Sequence, residues 1–177
     1  IQYLVISRYI NPIIKSYTSS EEVSKDGIIS IAKFLMYLGF ILSIILFALG
    51  EHLFGIIFGD RYIISGSIAF LFMIAYSFMS YIEVISAYCD IKYKYNRLVG
   101  IELLLIIVLS LPMFYYMYFI LGVYGISISM IVMYFCMSLV YSKLMTSMYG
   151  ISIIRLYIIS RKDVSTVCNF LKQNILK

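Results

Sequence analysis

Apolar residues fall in four long blocks, each closed by a short polar break. The first, residues 28–50, has Lys33 near its start, Glu51 just past its end and an uncharged run from 34 to 50. It is long enough for one membrane crossing, which takes about 20 apolar residues. The stretch EHLFGIIFGDRY then reads as a short interfacial turn, because Gly55 and Gly59 interrupt it and charges flank it. The second block follows Tyr62 and continues to about residue 89, with Glu83 as its only charge, before the polar turn DIKYKYNR. The third covers about 99–121 and the fourth about 124–145, separated by LGVYG, whose two glycines predict a tight helical hairpin. Residues 103–142 contain no charged side chain, which is room for two crossings.

The pattern changes at the ends. From Tyr149 onward Gly150, Arg155, Arg161, Lys162 and Asp163 break the apolar run, so this part is not expected to span. With Asp163 as N-cap, Val164, Val167, Leu171 and Ile175 recur at helical spacing and predict an amphipathic helix on the membrane surface. The opening residues IQYLVISRYINPIIKSY read as the end of a preceding helix, so the chain is expected to be truncated at its front. Nothing there has the order of a signal peptide. The organisation is therefore residues 1–27 as a helix end and cytoplasmic connection, 28–148 as a four-span region, and 149–177 as a cytoplasmic tail. The fold class is all-α, a polytopic membrane helical bundle with four transmembrane helices and flanking helical segments.

Composition agrees with the solvent that this pattern implies. Of 177 residues, 63% are hydrophobic and 13% charged, and the mean hydropathy is +0.98, whereas soluble domains carry about 25% charged residues. Basic residues set the orientation, because they accumulate on the cytoplasmic side. If the first span starts inside, thirteen of the fourteen Lys and Arg lie inside and only Arg61 lies outside. This predicts a multi-pass protein of the cell inner (cytoplasmic) membrane with both ends cytoplasmic. The net charge of +5 is then mostly topology, and no nucleic-acid partner is expected. Tyr62, Tyr88, Tyr93, Tyr95, Tyr115, Tyr116, Tyr118 and Tyr124 cluster near the predicted span ends, as interfacial tyrosines do.

Candidate chemistry is sparse. His52 has no neighbouring metal-ligand set, no phosphate-binding loop is present, and Cys89, Cys136 and Cys168 match neither a disulfide framework nor a metal site. All three cysteines read as small packing residues, His52 as an interfacial side chain, and the chain as a non-enzyme without cofactors. Glu83 and Glu102 carry more information, since an ionisable group within a span is costly and faces protein or a wet cavity. At about 1.5 Å per residue, Glu83 sits roughly 10 Å from Asp90 and Glu102 roughly 7 Å from Arg97, so both lie in cytoplasmic halves. Each either lines a translocation path or pairs with Lys92, Lys94 or Arg97. Tyr76, Ser80, Glu83, Ala87 and Asp90 form a polar, small-residue stripe on the second span, weakly echoed by Ser127, Tyr134, Ser138 and Tyr141 on the fourth. The stripes serve either an aqueous path, with Tyr76, Ser80, Tyr134 and Ser138 lining it, or close helix packing. Lys92, Lys94 and Arg97 are explained by topology or by contact with a lipid phosphate. Pro112 predicts a kink in the third span.

The order of these features resembles the C-terminal part of the polysaccharide flippases, of the O-antigen and capsule type, in the multidrug, oligosaccharidyl-lipid and polysaccharide exporter superfamily. The phrase GEHLFGIIFGDRYIISGSIAFLFMIAYSFM carries the main likeness: a span ends, a turn of Phe58, Gly59, Asp60, Arg61 and Tyr62 follows, and small residues begin the next helix. LGVYGISISMIV is similar to the family's Tyr-Gly turn into its last helix, with Ser127 and Ser129 where Gly or Ala is more usual. YINPIIKSYTSSEEV, with Pro12, echoes the end of the preceding helix. The likeness reaches to about residue 148. It implies that the four spans are the ninth to twelfth helices of a twelve-helix, two-lobe transporter whose N-terminal portion is missing. It also implies export of a polyprenyl-pyrophosphate-linked oligosaccharide from the inner to the outer leaflet, by alternating access, for surface polysaccharide or lipopolysaccharide synthesis. The implied partners are membrane lipid, the lipid-linked oligosaccharide and the missing portion of the chain. The rival readings are a cation-coupled multidrug exporter of the same superfamily and a structural or other membrane subunit of glycan assembly.

Overall fold

A computed structural model describes residues 25–93, 104, 108 and 110–174, and among them there is no β-strand. The helices are α1 (Lys25–Phe58), α2 (Ile63–Tyr93), α3 (Leu111–Leu121), α4 (Val123–Tyr149), α5 (Ile153–Tyr157) and α6 (Arg161–Asn174), with one 3-10 turn at Asp60–Tyr62. Three of them, α1, α2 and α4, are long and apolar enough to cross a membrane. Their outward residues are apolar too: Ile44, Phe47 and Ile56 of α1 are 65%, 71% and 83% exposed, which suits lipid better than water. Among the described residues the protein is all-helical, and its three apolar helices make a multi-pass membrane protein plausible.

Only part of the third predicted span lies within the described residues. There, Pro112 occupies the first turn of α3, where its missing N–H is harmless, and Val108 and Ser110 just before it have π-helical backbone. The rest of the stretch in which the kink is expected lies outside the described residues.

Packing divides the chain into two units, described separately. The first holds residues 37–79 with 110–138 and consists of helical hairpins. Contacts between α1 and α2 advance along one helix as they retreat along the other: Phe40 meets Phe78 (ring centroids 5.3 Å), Phe47 meets Phe70 (5.0 Å), and Glu51 accepts a hydrogen bond from Ser67 (3.0 Å). That register is an antiparallel pair turning at Gly59. It corrects the sequence reading of EHLFGIIFGDRY, because α1 does not stop at Gly50 but continues unbroken to Phe58. Gly50 serves the crossing instead: a Cβ added to Gly66 would lie 2.5 Å from the Gly50 carbonyl carbon, so the two backbones touch as only glycines permit. The turn itself falls at Gly59, whose φ is +90°.

The same unit contains the α3–α4 hairpin. One residue, Gly122 (φ +60°), separates the helices, and its N–H bonds to Tyr118 O at 2.8 Å. Gly125 lies against the Met117 carbonyl, and Ser129 Oγ reaches Met113 O at 3.4 Å, again an antiparallel register. The hairpin predicted from the LGVYG glycines is present. Phe78 of α2 and Phe135 of α4 meet edge to face at 5.4 Å.

The second unit joins the start of α1 through Met36, α2 from Ser80, α4 from Leu139, and helices α5 and α6. Here Tyr81 OH lies 3.0 Å from Ser142 Oγ and Tyr88 OH lies 2.8 Å from Tyr149 OH. The two pairs are offset equally along both helices, so α2 and α4 run side by side in the same direction. Tyr88 is buried near the end of α2, and Tyr81 stacks on Tyr157 of α5 at 5.5 Å.

Candidate functional site

Two polar groupings stand out against the apolar background. On α2, Tyr76, Ser80 and Glu83 follow one another at helical spacing; Ser80 is buried and the other two are half-buried. Glu83 Oε2 is buried and has no hydrogen-bond partner among the described residues. An unsatisfied carboxylate oxygen within an apolar helix is expensive and calls for a partner, whether a side chain outside the described residues, water, an ion or a ligand. On α4, Ser138 is buried and donates to Phe135 O at 2.8 Å, while Tyr134 is half-buried. Lys92 belongs to the last turn of α2. Glu102, Lys94 and Arg97 lie outside the described residues, so their contacts with Glu83 or lipid belong to the sequence reading alone.

The second grouping is built around Asp163. Ser160 caps α6: its Oγ accepts from Asp163 N (3.3 Å), and the Asp163 carboxylate accepts from Ser160 N (2.7 Å), a reciprocal capping box. The sequence reading placed Asp163 at the N-cap itself; it sits three residues later because Ser160 takes that position. Its carboxylate also accepts from Ser30 Oγ (2.5 Å), Ser160 Oγ (2.8 Å) and Lys33 Nζ (3.0 Å). Lys33 donates a further bond to Ile158 O at 3.0 Å. Both ions are nearly enclosed, with side chains 3% exposed for Lys33 and 11% for Asp163. Burial alone would raise the carboxyl's pKa, but the bonds from Ser30, Ser160 and Lys33 outweigh it and hold Asp163 down at about 2.

Lys33 was read from sequence as a cytoplasmic-side flank of the first span. It is also the anchor that fixes the tail helix to α1. The buried face of α6 carries Asp163 and Val167, one turn apart, while Val164 is exposed; the side chains of Leu171 and Ile175, the other members of the predicted apolar stripe, lie outside the described residues. The local sign of this arrangement was the Ser-x-x-Asp spacing of 160 to 163. Its partner, Lys33, is 130 residues away and no local rule points to it.

Of the cysteines, Cys89 is buried as a packing residue, whereas Cys136 and Cys168 are exposed, so packing explains only the first. Among the described residues, no three His, Cys, Asp or Glu gather as a metal site would require. No family model, curated protein or solved structure matches the chain.

Proposed function

We propose that the chain is the C-terminal part of a multi-pass exporter that crosses the membrane four times in the region 28–148, with both ends on the cytoplasmic side. Its cargo is a polyprenyl-pyrophosphate-linked oligosaccharide, moved from the inner to the outer leaflet. The four-crossing topology is supported by the direction of the helices. The side-by-side, same-direction run of α2 and α4 and the antiparallel run of α3 against α4 support a return crossing between α2 and α4. The charge asymmetry supports the orientation, with Arg61 in the outward turn and Lys33, Lys143 and Arg155 at the inward ends.

The observation that carries the transport reading is the Glu83 oxygen on the polar face of α2, which has no hydrogen-bond partner among the described residues. A purely structural span gains nothing by keeping a carboxylate there. The cargo rests on the likeness of the Phe58–Tyr62 turn and of LGVYGISISMIV to the polysaccharide flippases. Glu83 also favours a second reading, a cation-coupled drug exporter, since an intramembrane carboxylate suits a proton or Na⁺. Glu83→Gln in the intact protein, at matched membrane abundance, tests both. Surface glycan should fall severalfold while drug resistance stays unchanged. Reduced drug resistance with normal glycan would favour the second reading, and no change in either would remove Glu83 from the mechanism.

A further inference from the structure

The Asp163 cluster forms the floor of a cavity of about 420 Å³ between the first three turns of α1, the 151–160 segment and the first two turns of α6. Its floor is electrostatically spent, because the Asp163 carboxylate already takes bonds from Ser30, Lys33 and Ser160. Its walls are not. Arg155 and Lys162 line it, and the one remaining acid, Asp26, touches Arg155 Nη2 only at 3.9 Å, with both side chains well exposed. Such a contact holds an arginine weakly. Three cations, Lys33, Arg155 and Lys162, therefore face two acids, Asp26 and Asp163.

A separate observation points the same way. Arg161 and Lys162 open α6, at the end of a helix where the backbone dipole is already positive. The acid of that turn, Asp163, caps the helix end through Ser160 N and is also bonded to Lys33, so its charge is already shared between the two. Of Arg161 and Lys162 only Lys162 lines the cavity, and an anion there would offset Lys162 and Arg155 at once. The rim, meanwhile, is apolar: Ile154 and Ile158 line the same cavity and are 70% and 59% exposed. Free phosphate has no use for exposed isoleucines, whereas a phospholipid presents phosphate and hydrocarbon within a few bonds.

We propose that this cavity binds an anionic phospholipid, its phosphate between Arg155 and Lys162 and its first acyl methylenes along Ile154 and Ile158. The site ties the tail to the membrane surface through a lipid, and it stands apart from whatever cargo the protein moves. Arginine suits the role because its planar donors pair with two phosphate oxygens.

The test uses the full chain in neutral detergent, with native mass spectrometry and thermal unfolding in added phosphatidylglycerol, phosphatidylcholine or inorganic phosphate. Phosphatidylglycerol should be retained and raise Tm, and the other two should not. R155Q/K162Q should weaken phosphatidylglycerol retention about tenfold, the loss expected for one or two charge-assisted bonds, and R155K/K162R should keep most of it. Should the double substitution lower the lipid-free Tm, I154S/I158S decides, since the proposal requires it too to weaken lipid retention. Equal retention by wild type and R155Q/K162Q, or by wild type and I154S/I158S, overturns the proposal. A Tm shift from inorganic phosphate equal to that from phosphatidylglycerol overturns the lipid assignment in favour of a free-anion site.

Discussion

Lys33 in the third turn of α1 and Asp163 in the first turn of α6 lie 3.0 Å apart, both almost wholly enclosed. A buried ion pair gains little over an apolar pair of the same shape, because desolvation offsets the attraction, but losing one partner strands the other. The pair's role is therefore positional: it fixes where the tail helix sits against the first long helix.

Lys33→Met should cost about 3–5 kcal/mol, since it leaves Asp163 enclosed without its cation. Asp163→Asn should cost less, because the amide oxygen keeps some of the serine bonds although Lys33 loses its counter-charge. The combined K33M/D163N variant should recover part of the loss. Thermal unfolding of the three variants in the same detergent measures this; equal, additive losses would show that the two residues act independently.

The tail's attachment should be insensitive to pH over the physiological range. Asp163 is held at about 2 when folded, below the roughly 3.9 of a free aspartate. A depressed carboxyl contributes stability above its unfolded pKa and loses it as pH falls through the folded one. The contribution, on the order of 2 kcal/mol, is thus complete at pH 5 and above and disappears between about pH 4 and 2. Hydrogen exchange of α6 amides across that range reads it, and loosening already at pH 5–6 would contradict the assignment.

Gly66→Leu should disrupt the α1–α2 hairpin, because any Cβ there collides with the Gly50 backbone. Overpacking of this kind typically costs about 1–3 kcal/mol, and more where backbone must move. Gly59→Ala meets no atom within 4 Å but forces a side chain onto a φ of +90°, a strain of about 1 kcal/mol or more. The ordering of the two Tm losses, Gly66→Leu far larger, is the prediction.

Single cysteines in a cysteine-free background map the topology. With an impermeant maleimide added to whole cells, Arg61→Cys should label, whereas Lys143→Cys and Arg155→Cys should label only after the membrane is opened. Labelling of position 155 from outside would reverse the orientation.

Much of this architecture was legible in the apolar blocks: α1, α2 and α4 follow them, and Gly122 marks the hairpin because a glycine-rich break between two apolar runs has few other uses. What escaped was information held jointly by distant residues. Gly50 reads locally as a helix end, and only Gly66 on the neighbouring helix reveals it as a crossing point. Lys33 reads as a flank, and only Asp163 reveals it as an anchor. Glu83 was legible as unusual from its apolar neighbours alone, but the lack of a bond to one of its oxygens needs the fold.

The central claim is export of a lipid-linked glycan, and its most direct measurement is the fate of that glycan when the gene is deleted and then restored. The account predicts that deletion abolishes surface polysaccharide, that polyprenyl-pyrophosphate-linked oligosaccharide accumulates on the inner leaflet, and that the intact gene reverses both. Undiminished surface polysaccharide with no accumulated intermediate would contradict it.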